Sequence, residues 1–293
     1  MRFYRPATWP DALAVRAAHP DALPIAGGTD VMVDINFDRV RPGALLDLTR
    51  IRELSEWAPD GDDIRLGATV PYARVMSELG VSLPGLALAS RTVGSPQIRN
   101  RGTVGGNLGS GSPAGDAHPP LLACDAVVEV ASVRGVRKIP VREFFTGVKR
   151  TVLARDELIA AIIVPAAHGP QQFAKVGVRN AMVIAVSSFA IALHPDRGQV
   201  GTGIGSAAPT PRPASEAEEF LTAELADRGL WHSRGLLGRS TVHLFGELVA
   251  RSADPIDDVR GSAAYRRHSL AIMAGRTLTW AWKSYQEEGR QCA

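Results

Sequence analysis

The sequence predicts an α+β protein of two units, and three observations carry that expectation. Through the first half, short β-branched runs alternate with short helical ones. Between residues 174 and 206 a second group of apolar runs reads as a separate antiparallel sheet. After Pro209-Thr210-Pro211-Arg212-Pro213 the pattern turns helical and stays so. The length of 293 residues fits roughly two domains.

Taken in order, Ala22-Leu23-Pro24-Ile25-Ala26 reads as a strand running into a glycine turn, and Ala44 to Leu48 as another apolar run. Ile64 to Ala68 alternates in the manner of a strand. Pro71 to Leu79 is helical, with Val75 and Leu79 spaced i, i+4. Ala126 to Ala131 is a β-branched strand whose hairpin partner is Val133 to Ile139. Ile159 to Val164 is a strand ended by Pro165, and His168-Gly169-Pro170 makes a turn. Ala174 to Val176 and Val183 to Leu193 are expected in the second sheet. Val200 to Ser206 joins them, glycine-rich because something packs close or the strand bends. Ser215 is the expected N-cap of a helix over Glu216 to Leu225. A last helix is predicted from about Ser262 to Gln286, with Leu270, Met273, Thr277 and Trp280 on one stripe. Trp231, Trp280 and Trp282 are expected in the core. The units are divided at 1–174 and 175–293.

Composition narrows the function. A formal charge of +3 is too small and too evenly spread to argue for nucleic acid. With 45% hydrophobic and 22% charged residues, the chain is neither disordered nor fibrous. The longest apolar stretches, Leu158 to Ala167 and Met182 to Leu193, fall short of the ~20 residues that cross a bilayer. The opening residues carry two prolines and an acid and no apolar core, so a signal peptide is not expected and a cytoplasmic location is. Two cysteines, Cys124 and Cys292, are too few for an iron–sulfur cluster, and no HxxxH or HExxH pattern suggests zinc. A disulfide between them is not expected without secretion.

Two glycine segments carry the chemistry. The first is Pro24-Ile25-Ala26-Gly27-Gly28-Thr29-Asp30-Val31. Such a turn can present successive backbone N–H groups to an anion, although a tight turn before a helix capped by Thr29 or Asp30 reads as well. It is neither a Walker A loop nor GxGxxG. The second runs from Arg101 to Asp116 and holds six glycines in 16 residues. Thr103, Asn107, Ser110, Ser112 and Asp116 stand among them, and the apolar Pro119 to Cys124 follows, so the segment is anchored rather than a free linker. Together the segments suggest one site with a pyrophosphate between two turns. An acid such as Asp116 suits ribose hydroxyls or a ring N–H better than phosphate, which favours a dinucleotide.

The pair Ala26-Gly27-Gly28-Thr29-Asp30 and Thr103-Val104-Gly105-Gly106-Asn107, with Ser112-Pro113-Ala114-Gly115-Asp116, resembles the FAD-binding medium subunit of the xanthine dehydrogenase and carbon monoxide dehydrogenase group of molybdenum hydroxylases. The similarity extends over nearly the whole chain, through Leu66 to Val70, Phe144 to Gly147, Asp156 to Ile159 and Pro255 to Arg267. The resemblance implies a two-lobed FAD-binding domain of the vanillyl-alcohol oxidase type followed by a smaller α+β domain. It implies that Ile25, Ala26, Gly27, Gly28, Thr29, Asp30 and Val31 cradle the FAD pyrophosphate. It implies that Thr103, Val104, Gly105, Gly106 and Asn107 complete the site, with Ser110 close by. Asp116 is then expected at the ribose or adenosine side, Ile159 as an apolar neighbour of the cofactor, and Lys175 near the flavin. Val93 departs from the pattern, since some members place an aromatic there beside the flavin. With no His or Cys in either segment, FAD is expected to be non-covalent.

The resemblance further implies a division of labour. Substrate is hydroxylated at a molybdopterin centre in a large subunit. Electrons pass through two [2Fe–2S] clusters of an iron–sulfur small subunit to FAD in this chain, and then to NAD+ or another acceptor. The expected assembly is a heterotrimer, most closely of a xanthine or purine dehydrogenase, or alternatively of the carbon monoxide dehydrogenase type. A self-sufficient flavin oxidase of the same fold and a scaffold without FAD are the other readings. No catalytic side chain is assigned. Asp257 to Arg267, with two acids and three arginines, reads either as a helix start or as a polar contact with a partner subunit.

Overall fold

A computed structural model describes residues 1–291; Cys292 lies outside them. The chain opens with β1 (Arg2–Tyr4) and α1 (Trp9–Ala18). Thr8 caps α1 by accepting the Asp11 N–H, and Pro10 pre-sets its first turn. β2 (Leu23–Ile25), α2 (Val31–Asn36) and β3 (Ala44–Asp47) follow. The three strands form a parallel sheet in the order β1-β3-β2. Next come β4 (Trp57–Asp60) and β5 (Asp63–Gly67), then a run of short helices. These are α3 (Tyr72–Glu78), α4 (Pro84–Arg91), α5 (Pro96–Arg101), α6 (Val104–Ser110) and α7 (His118–Ala123). The hairpin β6 (Val127–Ser132) and β7 (Gly135–Pro140) leads through α8 (Val141–Phe144) to a small hairpin, β8 (Phe145–Gly147) and β9 (Arg150–Thr151). β10 (Leu158–Pro165) then returns to the centre of an antiparallel sheet, β4-β5-β10-β6-β7. Its central place, buried on both faces, explains its unbroken apolar sequence.

The chain then crosses to a third sheet of β11 (Gln171–Val176), β12 (Ser187–His194) and β13 (Gln199–Gly205), all antiparallel. Helices α9 (Ser215–Asp227), α10 (Leu230–Ser233), α11 (Arg239–Arg251) and α12 (Ala263–Gln291) complete the described chain. β12 divides its side chains between two cores, as strand alternation requires. Ala190 and Ala192 join the core of the first unit beside Leu86, Leu121 and Phe173. Phe189, Ile191 and Leu193 join a second core with Leu221, Phe245, Leu270 and Leu278 from the helices. β12 thus joins the two cores across its two faces. The glycines of β13 follow from this: a Cβ at Gly201 or Gly203 would overlap the Ala123 or Pro119 carbonyl, because α7 lies directly on the strand.

Five expectations need correction. The Thr103 to Ser110 stretch is a short helix, α6, capped by Thr103, rather than a turn. Ser215 is the first residue of α9 and Ala214 its cap, with no side-chain capping bond. That start is fixed by tertiary contacts instead: Thr202 accepts the Ala214 N–H at 2.8 Å, and Glu218 accepts the Thr202 N–H and hydroxyl. Trp280 lies about half exposed, off the buried stripe of α12; that stripe continues through Ala281, Trp282 and Tyr285. β12 starts at Ser187, so Val183 to Val186 precede it outside the strand. The division at 174/175 passes through β11; by sheet membership the chain crosses over between Pro165 and Gln171.

Candidate functional site

The two glycine segments meet. A Cβ at Gly27 would overlap the Arg101 carbonyl, so the first turn lies flat on the backbone entering the second segment. Gly102 faces Thr29, whose Oγ1 stands 3.3 Å from where a Cβ would be. Gly28 has φ +76°, a conformation that favours glycine, and lets the chain swing into α2 at Val31. Asp30 precedes α2 without making a capping bond. Ile25 ends β2 and Ala26 leads into the turn.

α6 is pinned from below. Thr103 caps it by accepting the Gly106 N–H at 2.9 Å, and Val104 and Leu108 are fully buried. Gly105 lies on Ala68, whose carbonyl oxygen would be 2.5 Å from a Cβ. The upper side differs. Gly106 and Gly109 are exposed, and a Cβ at Gly106 would touch only its own cap, Thr103 Oγ1. Ile159 lies under Gly109, its Cδ1 3.6 Å from where a Cβ would be. The result is a wall with no side chain on Gly106 or Gly109, which a flat or extended ligand can approach closely. Ser110 is committed to the Asn107 carbonyl, and Asn107 Oδ1 accepts the Ala117 N–H.

Beyond α6 the chain turns at Gly115 and buries Asp116. Lys175, from β11 of the other unit, donates to Asp116 Oδ2 at 2.7 Å and to the Thr92 carbonyl at 3.0 Å. Both side chains are about nine-tenths buried. Asp116 Oδ1 has no partner. Burial drives the Asp116 carboxyl up to about 6, against the pull of the Lys175 ammonium. The 2.7 Å contact brings Asp116 and Lys175 together at one place in the site. Val93, next to Thr92, packs partly buried against the core.

His118 was not assigned from sequence, although a histidine entering the apolar run Pro119 to Cys124 was a signal. Its Nε2 lies 3.2 Å from the Asn107 carbonyl, so Nε2 carries the proton. The ring fills the space that Gly115 leaves; a Cβ there would run into it. Burial holds the imidazole down to about 4. A histidine lowered in the folded state adds stability that is complete above its unfolded value of 6.5 and lost as pH falls through 4. His118→Gln is therefore expected to remove an acid sensitivity of about 3 kcal/mol by pH 4. Urea unfolding of both chains between pH 7 and 4 checks it: a constant gap between them would refute the assignment.

The arrangement leaves a backbone face that a ligand can approach closely, an unpartnered buried acceptor at Asp116, and a buried cation beside it. Among the described residues, no three His, Cys, Asp or Glu side chains are grouped to hold a metal ion, and no helix is long and apolar enough to cross a membrane.

Known proteins resemble this chain over most of its length. The family model described as the FAD binding domain in molybdopterin dehydrogenase matches residues 1–167. The xanthine dehydrogenase FAD-binding subunit of Escherichia coli O157:H7 is 30% identical over 289 residues, 95% of each chain. The nicotine 6-hydroxylase medium subunit of Paenarthrobacter nicotinovorans is 31% identical over 290 residues, 96% of this chain and 97% of that one. A solved chain of carbon monoxide dehydrogenase from Hydrogenophaga pseudoflava matches with a TM-score of 0.88 at 27% identity, covering 97% of this chain and 98% of that one. The chain therefore belongs to the family of FAD-binding domains of molybdopterin dehydrogenases, and FAD is its cofactor.

Proposed function

We propose that this chain is the FAD-carrying electron-transfer subunit of a heteromeric molybdenum hydroxylase, most closely of the xanthine or purine dehydrogenase type. In this reading it works in a cytoplasmic heterotrimer. A small subunit brings electrons through [2Fe–2S] clusters from the molybdopterin centre of a large subunit, where the organic substrate reacts. This chain passes them to NAD+ or another acceptor. The observation that carries the reading is the meeting of Gly27 with the Arg101 carbonyl beside the bare face of α6. Relatives named as a medium subunit and as a subunit of a dehydrogenase complex support the partners. The structural match to carbon monoxide dehydrogenase supports that type of medium subunit as the second reading.

FAD, when bound, supplies the redox chemistry, and the protein supplies position and electrostatics. Ile25 to Val31 and Thr103 to Asn107 hold the pyrophosphate between them, without a covalent bond. Gly106 and Gly109 admit the cofactor's spine, and Ile159 gives an apolar floor. Lys175 holds Asp116 in place, and the pair faces the flavin end of the site. The parallel sheet and the five-stranded sheet correspond to the two lobes of a vanillyl-alcohol oxidase type domain.

The test is the spectrum of the purified chain expressed alone, with the released cofactor identified after mild denaturation. Flavin absorbance, releasable FAD and no turnover of purines without partners are expected. A colourless chain that takes up no added FAD would overturn the reading. Substrate turnover by the chain alone would favour a self-sufficient oxidase.

A further inference from the structure

Tyr72 opens α3 under the joint of the two glycine segments. Its N–H donates to the Gly102 carbonyl at 3.0 Å, and its ring lies 3.5 Å from where a Gly102 Cβ would be. Pro71 pairs with Thr103 in an isolated bridge, which locks α3 to the start of α6. The ring packs in the core with Val104 and Leu108. The residue is 3% exposed, yet its hydroxyl has no partner. Such a group is destabilising where it stands, and native proteins keep few of them. The charges that reach it come from Asp116 and Asp30, one from each glycine segment; burial and these acids keep the phenol protonated, hence a donor. Asp116 Oδ1 and His118 Nδ1, also without partners, are acceptors.

We propose that Tyr72 is a binding residue of the site: its hydroxyl donates a hydrogen bond to an oxygen of the bound dinucleotide where the two glycine segments meet. This rests on the FAD reading above. It explains why a tyrosine occupies a core position that phenylalanine would fill at lower cost.

Tyr72→Phe in the full-length chain separates this role from a structural one, because the two predict opposite signs. Without cofactor, the variant is expected to melt at the wild-type temperature or above, since an unpaired hydroxyl has been removed. With cofactor, FAD affinity measured by flavin fluorescence is expected to fall about tenfold. Competition by ADP locates the oxygen: weaker competition in the variant puts it in the adenosine diphosphate half, unchanged competition in the flavin half. Unchanged FAD affinity overturns the proposal alone, as does a lower melting temperature with normal affinity. Failure of the wild-type chain to bind FAD overturns the FAD reading together with it.

Discussion

Gly105→Val is expected to break the fold around α6, whereas the neighbouring Gly106→Val is expected to keep the fold and lose FAD. The two glycines are adjacent but face opposite ways. Gly105 rests on Ala68, where a Cβ would meet the carbonyl oxygen at 2.5 Å and the Cα at 2.7 Å. Backbone cannot step aside as a flexible side chain can, so the helix must lift from its support. Overpacking of this kind costs about 3 kcal/mol or more, a fall in melting temperature on the order of 10 °C. Gly106 is exposed, and a Cβ there meets only Thr103 Oγ1 at 2.9 Å. Its worst structural penalty is a disturbed cap, about 1 kcal/mol. Two methyl groups on the bare face of α6 nevertheless keep a ligand spine from the backbone, and FAD affinity is expected to drop at least 100-fold, or about 3 kcal/mol. Thermal melts of both chains without cofactor, beside FAD titrations, check the contrast. A folded Gly106→Val chain with wild-type affinity would refute the assignment of that face.

This contrast also marks what the sequence could carry. The strand at Ile64 to Ala68, the hairpin after Ala126 and the strand ended by Pro165 were legible because alternation and proline act locally. The glycine segments were legible as a pair through their density and hydroxyl neighbours. Which glycine serves the fold and which serves the ligand was not, because that depends on Ala68, far away in the chain. The α9 cap was misread for the same reason: Ser215 has the right chemistry, but Thr202 and Glu218 hold the helix start from another element. Trp280 was misplaced because a stripe read in steps of three and four drifts over a 29-residue helix, and burial moved on to Ala281 and Trp282. Tyr72 left no signal beyond being an aromatic at the start of a helix; only an unpartnered hydroxyl in a packed core sets it apart.

Lys175→Met is expected to have the largest electrostatic effect, and its size depends on pH. Lys175 and Asp116 come from different units and are buried together, so removing the cation strands a carboxylate in low dielectric. Breaking such a pair from one side costs about 3–5 kcal/mol if the carboxyl stays ionised. The Asp116 carboxyl already stands at about 6, above its ordinary 3.8, even with the ammonium beside it. A raised carboxyl adds stability that is complete below 3.8 and lost as pH rises through its folded value. Without Lys175 that folded value climbs further, because the first force opposing burial has gone. The variant should therefore come nearest to wild type near pH 5, where Asp116 escapes by taking a proton, and fall away toward pH 8. Asp116→Asn added to Lys175→Met removes the stranded charge and is expected to recover most of the loss at pH 8. Its FAD affinity then shows whether the ligand needs the charge or only an accepting oxygen, since the Asn amide oxygen still accepts a hydrogen bond. Chemical unfolding at pH 5 and pH 8 decides the matter: an equal deficit at both would mean that Lys175 contributes packing alone, since only an ionisable partner left behind makes the deficit grow with pH.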